Sequence, residues 1–279
     1  MTDIKELLAT GEATEGQLLI ERKIYDTLIE AVQKKLIGRS LAAIYIGPNG
    51  IPGSSVDIDL VDKDSLAVAT VAEGAAVPIE TVSYSTTNVK PVKYGVRPLI
   101  TKEMQEDGKW DLMSHNIKTA GVEMAENEDA LIVSVLDTAD NTVTGGASIT
   151  VANIARAMQY LEDADYTPTD ILIGPEVAND LRNIDTFVEA QKLGSREMMT
   201  TGFVGTIFGL NVHVISGNII NSKYAYVLDK SQAFVCVEKR PVTIERYDDV
   251  THDLSGAVVT QRIAFKGLRT AAICIITTS

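Results

Sequence analysis

Residues 56–99 constrain this chain more than any other stretch. Val56, Ile58 and Leu60 alternate with Asp57, Asp59 and Asp62, the period of a strand with one apolar face. Residues 67–80 are small or β-branched, punctuated by Gly74 and Pro78. Val82, Tyr84 and Thr86 then alternate again, and residues 89–99 are strand-like. The pattern predicts a long two-stranded excursion. Its apolar side chains are too few and too small to make a core, and a lone hairpin is marginal in water. Such a segment needs something to lie on, and a neighbouring subunit supplies it.

Helical periodicity flanks this excursion. Leu18, Leu19, Tyr25, Leu28, Ile29, Val32 and Leu36 predict a helix over 17–37, after a Gly-containing link at 10–16. This is the layout of an N-terminal arm that docks elsewhere. Trp110, Met113, Ile117, Ala120, Met124, Leu131 and Val135 trace one face of a helix over 110–136. That is far longer than the usual ~11–12 residues. Residues 101–140 hold three basic and ten acidic residues. Glu123, Glu126, Glu128 and Asp129 fall mostly off the apolar stripe, so they read as a solvated face or a subunit contact. Residues 101–103 stand where they would cap the helix that follows.

The second half reads as mixed elements. A helix over 150–163 is capped by Thr150 and turns Ile154, Ala157, Met158 and Leu161 inward. Residues 171–173 form a short buried strand that ends at Gly174-Pro175. The helix over 176–184 begins at that proline, whose missing N–H costs nothing there. A loop-rich surface segment follows at 187–206. Strands are predicted over 206–215 with Gly209 at a turn, and over 224–228, 233–237, 242–247, 258–266 and 270–276. Residues 248–256 read as a polar loop. The fold class is α+β.

The search for chemistry returns little. His115, His213 and His252 are scattered and form no metal-ligand spacing. GPNGIPG at 47–53 and TGG at 144–146 are neither a phosphate-binding loop nor a dinucleotide fingerprint. ISG at 215–217 is not a nucleophile elbow. The aspartates at 57, 59, 62 and 64 do not follow a calcium-loop pattern and read as strand-edge charges. No cofactor is expected. Net charge is -13, which opposes a surface built to grip phosphates but not a container that encloses a polyanion. Cys236 and Cys274 lie in apolar runs as buried free thiols, as in a cytosolic chain without disulfides. No signal peptide stands at residues 1–9, and the apolar run at 270–278 is too short to span a membrane.

Several phrases, in order, carry a resemblance. ILIGPEVANDLRN at 171–183 resembles a family's short strand, proline turn and helix. GTIFGLNVHVIS at 205–216 resembles its Gly–loop–Gly–strand segment, YAYVLDKSQAFVCVEKRPVTIE at 224–245 its following strand pair, and RIAFKGLRTAAICII at 262–276 its closing strands. The family is that of the major capsid proteins of tailed double-stranded DNA phages and archaeal viruses, with their encapsulin relatives. The resemblance implies an HK97-like capsid fold. It divides the chain into an N-terminal arm and helix (1–40), an extended β-hairpin loop (41–100) and a peripheral domain with its spine helix (101–149). An apical domain (150–225) and closing strands shared by the two domains (226–279) complete it.

The resemblance also implies a function and partners. Subunits assemble as pentamers and hexamers into an icosahedral shell around a double-stranded DNA genome. Partners are further copies of the chain, with scaffolding, portal and decoration proteins and weak, non-specific DNA contact, and without a membrane. The place is the virion capsid, assembled in the host cytoplasm. Leu18, Tyr25, Glu73, Tyr84, Lys90, Lys93 and Trp110 are the candidate inter-subunit contacts. Arg22, Lys23, Lys34, Lys35 and Arg39 are lumen-facing candidates if the first helix faces inward. Some relatives lock their shells with a Lys–Asn crosslink assisted by a Glu. Lys90 and Lys93 sit near the return strand, but no Asn and Glu partners are assigned. Two other readings stand beside this one. An encapsulin-type nanocompartment shell would show a cargo-peptide groove. A soluble α/β enzyme or ligand-binding protein would be a monomer with a deep pocket.

Overall fold

The computed structural model describes residues 37–51, 53–61, 66–107, 112–183, 206–249 and 251–278. The helix predicted over 17–37 lies outside them except for Ile37, as does most of the segment 187–206. The chain enters through a 3-10 turn, Gly38–Leu41, then strand β1 (Ile44–Ile46) and a second turn at Pro48–Gly50. Next come β2 (Val56–Val61), β3 (Tyr84–Val89), β4 (Val92–Val96) and β5 (Leu99–Thr101). Helices α1 (Lys102–Asp107) and α2 (Leu112–Leu136) lead to β6 (Asn141–Thr144), α3 (Val151–Asp163), β7 (Asp170–Ile173) and α4 (Pro175–Asn183). The rest is extended: β8 (Thr206–Ile207), β9 (Leu210–Val214), β10 (Tyr224–Leu228), β11 (Phe234–Asp249), β12 (Leu254–Gly267) and β13 (Ile273–Thr277).

Local chemistry explains the element ends. The Thr101 hydroxyl accepts the Met104 amide at 3.1 Å and opens α1. Thr150 caps α3 by accepting from the Asn153 amide at 3.4 Å. Phe208 (φ 51°) and Gly209 (φ 84°) form the two-residue turn that joins β8 to β9. Both central residues have positive φ, the backbone twist a tight hairpin favours. Gly174 ends β7 because the chain passes the Ser222 backbone there: a Cβ would stand 2.5 Å from the Ser222 carbonyl oxygen.

The strands form two large sheets and a ribbon. One sheet runs β6-β13-β10-β7-β9-β8; the other runs β1-β11-β12-β4, with β5 also on β12. β2 and β3 pair only with each other. In the six-stranded sheet alternate side chains serve two cores, the period-2 rule of a strand buried on both faces. Ile171, Ile173, Ala225, Val227, Cys274 and Ile276 pack with α3 and α4. Leu172, Tyr226, Leu228, Ile273 and Ile275 pack on Ile132, Val133 and Leu136 of α2. The first half of α2 covers the other sheet, where Ile117, Ala120 and Met124 meet Val242, Ala257 and Val259. One helix is therefore the common packing element of both sheets.

Three expectations change. The excursion is shorter than 56–99: only β2 and β3 pair, residues 66–83 form no strand, and β4 returns to the main sheet against β12. The stripe on α2 turns in its second half, where Ile132 and Leu136 are buried and Leu131 and Val135 are only half-buried. Glu128 (0 % exposed) and Asp129 (3 %) lie on the buried face rather than the solvated one. Finally, the predicted strands 233–237 and 242–247 are one strand, and the polar loop at 248–256 shrinks to a turn. Two register irregularities, between Glu238 and Arg240 and between Arg240 and Thr243, absorb the polar stretch and Pro241 without breaking β11.

Candidate assembly surface

Residues 66–83, carried on the β2–β3 ribbon, form an arm that is exposed throughout except at half-buried Val82. Val68 is 102 % exposed, Ile79 95 % and Val77 74 %, and Leu66 and Val71 are exposed too. Exposed apolar side chains in such number mark a contact surface. The arm turns at residues 72–75, where the Ala75 amide donates to the Ala72 carbonyl and Gly74 takes φ 81°. Glu73 and Glu80 are exposed on the arm, and Tyr84 at the ribbon's end is 68 % exposed. The ribbon carries its own cross-strand polar pairs: Thr86 donates to Asp59 at 2.8 Å and Asn88 to Asp57 at 2.5 Å. Its root is held from below. Val56, Ile58 and Val89 pack over Val235, Val237 and Ala264, and the Arg269 guanidinium donates to the Val61 carbonyl at 2.5 Å.

The other predicted contact residues are dispersed. Lys90 is exposed at the turn between β3 and β4, and Lys93 is exposed on β4, paired in register with Arg262. Leu18, Tyr25, Trp110, Arg22, Lys23, Lys34 and Lys35 lie outside the described residues.

Arg39 is engaged within its own chain: its guanidinium is the centre of a part-buried ion cluster. Nε and Nη2 donate to Glu128 at 2.7 and 3.0 Å, and Nη2 and Nη1 donate to Glu238 at 2.9 and 3.3 Å. Gln261 donates to Glu128 at 2.7 Å, and the Tyr45 hydroxyl donates to Glu238. Burial works against the Arg39 charge, but bonds and attraction from both carboxylates more than offset it, so its pKa is raised. Burial and the bond to Glu238 push the Tyr45 phenol up to about 12. Next to the cluster, Asp129 accepts the Gly38 amide at 3.0 Å. Burial pushes its carboxyl up to about 6, and that backbone bond only partly opposes it. Together these residues pin 38–45 to α2 and β11. Sequence reasoning missed them because the partners are remote: Arg39 and Glu128 stand 89 residues apart.

No catalytic arrangement emerges among the described residues. Cys236 and Cys274 are free and buried, and burial pushes their thiols up to about 12 and about 11, which makes them inert. His213 bonds Asp170 at 2.9 Å within the sheet, and His252 bonds Asp249 at 2.7 Å at a hairpin end. The Thr251 hydroxyl lies 3.0 Å from His252 Nδ1 on the same exposed turn. No group of metal-binding side chains converges among the described residues. The main depressions are open and shallow; one lies between α1 and the β11–β12 hairpin end, lined by Lys102, Glu106, Arg246 and Asp248. No described helix is long and apolar enough to cross a membrane.

This architecture, a bridging helix under two sheets with an uncovered ribbon arm, is that of a virus-shell subunit. A structure from Mycobacterium phage Che8 superposes with a TM-score of 0.70 at 16% identity, covering 86% of this chain and 90% of that one. The capsid of the cyanophage P-SCSP1u superposes at 0.67 and 13% identity, with 88% of each chain covered. A virus-like particle from Pyrococcus furiosus superposes at 0.59 and 13% identity, covering 92% of this chain and 99% of that one. No curated protein sequence matches. Residues 83–276 match the family model described as phage capsid protein, and the chain belongs to that family. Its fold is HK97-like, and its role is structural: it is a major capsid protein, from which a virion shell is built by repetition.

Proposed function

We propose that this capsid protein assembles as pentamers and hexamers into a closed icosahedral shell around double-stranded DNA, within the host cytoplasm. The observation that carries this reading is the uncovered arm. A monomer that left Leu66, Val68, Val71, Val77 and Ile79 in water would be prone to association, and a closed ring of copies gives each arm a neighbour to cover. In this reading the six-stranded sheet with α3 and α4 is the apical domain, and the other sheet with α2 is the peripheral domain. The long helix α2 ties them together, since it packs on both sheets. A net charge of -13 fits a wall that encloses DNA with few direct contacts. Portal, scaffolding and decoration proteins are the partners expected of such a shell.

The test replaces residues 66–83 by a short Gly-Ser linker. The subunit is expected to keep its circular dichroism spectrum and melt cooperatively, while negative-stain images show no closed shells. Full-size shells with unchanged thermal dissociation would overturn the bridging role. Native mass spectrometry of the dissociated wild-type shell reads the ring sizes directly.

A further inference from the structure

The two faces of the β11–β12–β4 sheet differ in chemistry. On one face Ala257 and Val259 pack on α2, and Gln261 reaches Glu128. The intervening residues of β12 point the other way. On that opposite face Arg262 stands in register with Arg240 on one side and Lys93 on the other. Directly opposed residues of an antiparallel pair share a face, so three cations form a row across three adjacent strands. The register shift after Glu238 creates this row. Two steps along β11, from Glu238 to Arg240, oppose one step along β12, from Ile263 to Arg262. Glu238 therefore reaches Arg39 on the α2 side, while Arg240 is re-aimed to the far side, where it donates to Thr260.

Among the described residues the row lacks a counter-charge. Like charges directly opposite one another are unfavourable, yet no described carboxylate forms an ion pair with Lys93, Arg240 or Arg262. The partners of the two arginines here are neutral: Thr260 for Arg240, and the Pro91 carbonyl for Arg262. Nε of Arg240 is buried and has no partner. An anion supplied from outside the chain would complete the set.

We infer that this row receives Glu73 and Glu80 from the arm of a second copy. The inference rests on the reading that the arm lies on a neighbour. Residues 66–83 carry those two acids and no Lys or Arg, so the segment is purely anionic. Both acids are exposed and form no ion pair among the described residues. The root of the ribbon packs on Val237 and Ala264, two register pairs from Arg240 and Arg262 and on the same side as the row. A closed ring of heterologous contacts sets the arm of one copy against a different surface of the next, and the inference places that surface at the row. The apolar arm residues supply burial, and the two charge sets fix where along the neighbour the arm comes to rest.

The experiment is a charge swap in the full chain. One variant reverses the row (Lys93→Glu with Arg240→Glu), a second reverses the arm (Glu73→Lys with Glu80→Lys), and a third combines all four. Each single-side variant is expected to raise the protein concentration needed for shell formation by about tenfold or more, and the combined variant to recover most of it. Should the row variant not fold by circular dichroism, Lys93→Glu with Glu80→Lys repeats the cycle at exposed positions. Arm reversal without effect, or a combined variant no better than its parents, would overturn the inference. Loss of nucleic acid from row-reversed shells that assemble normally would overturn it in favour of phosphate. These failures leave the covering role of the arm standing, since that role is tested by its deletion.

Discussion

Arg39→Met is the perturbation that tests the interior cluster most directly. Methionine keeps an unbranched apolar stem and removes the guanidinium. Glu128 is fully buried and the Glu238 side chain is 4 % exposed, so both carboxylates lose the one cation they share among the described residues. Removing one partner of a buried pair typically costs about 3–5 kcal/mol, against about 0–1 kcal/mol for an exposed pair. A domain holds roughly 5–15 kcal/mol in total, so the loss would be a large share. At about 2–4 °C per kcal/mol, Tm should fall by roughly 10 °C. Thermal and urea unfolding of the unassembled subunit at neutral pH read this directly. Adding Glu128→Gln and Glu238→Gln to the methionine variant should restore most of the loss, because neutral amides of the same shape need no cation. A drop below about 1 kcal/mol, or a triple variant no more stable than Arg39→Met, would refute the view that buried charge pairing holds residues 38–45 in place.

Two further outcomes follow from the same coordinates. Asp129 has a folded carboxyl raised from 3.8 to about 6, so the folded state binds the extra proton between those values. Stability from this group is therefore greatest near and below pH 4 and is lost as pH rises through about 6, to a depth of about 2–3 kcal/mol. Asp129→Asn should flatten that part of the pH–stability curve and gain stability at pH 8, as read by Tm from pH 4 to 8. Gly174→Ala should cost about 1–3 kcal/mol, since its Cβ would stand 2.5 Å from a Ser222 backbone oxygen that cannot rotate away. Urea midpoints compare it with Gly146→Ala, where nothing stands within 4 Å.

The parts legible in the sequence are those whose signals are local. The strand–proline–helix unit at 170–183 is set by apolar run, Gly174 and Pro175, and the structure has it with ends shifted by a residue. The β8–β9 hairpin is set by Gly209 and its flanking alternation. What was not legible depends on residues that meet only after folding. Lys239, Arg240 and Pro241 look like a strand break, because the sequence does not display the register shift that accommodates them. Glu128 and Asp129 look solvated, because Arg39 and the Gly38 amide that answer them come from the other end of the described chain. The cationic row is invisible for the same reason. Residues 93, 240 and 262 become neighbours only through strand pairing, and with Glu238 two residues from Arg240 the local charge pattern does not display the row.

The shared helix has a mechanical consequence. The first half of α2 is bonded by packing to one sheet and the second half to the other, with the Arg39 cluster at the joint between them. Twenty-five residues make a rod of about 37 Å. Neither sheet can tilt relative to the other without curving that rod or breaking its grip. A load applied at the β2–β3 ribbon passes through the sheet beneath it into α2, and from there into the sheet that carries α3 and α4.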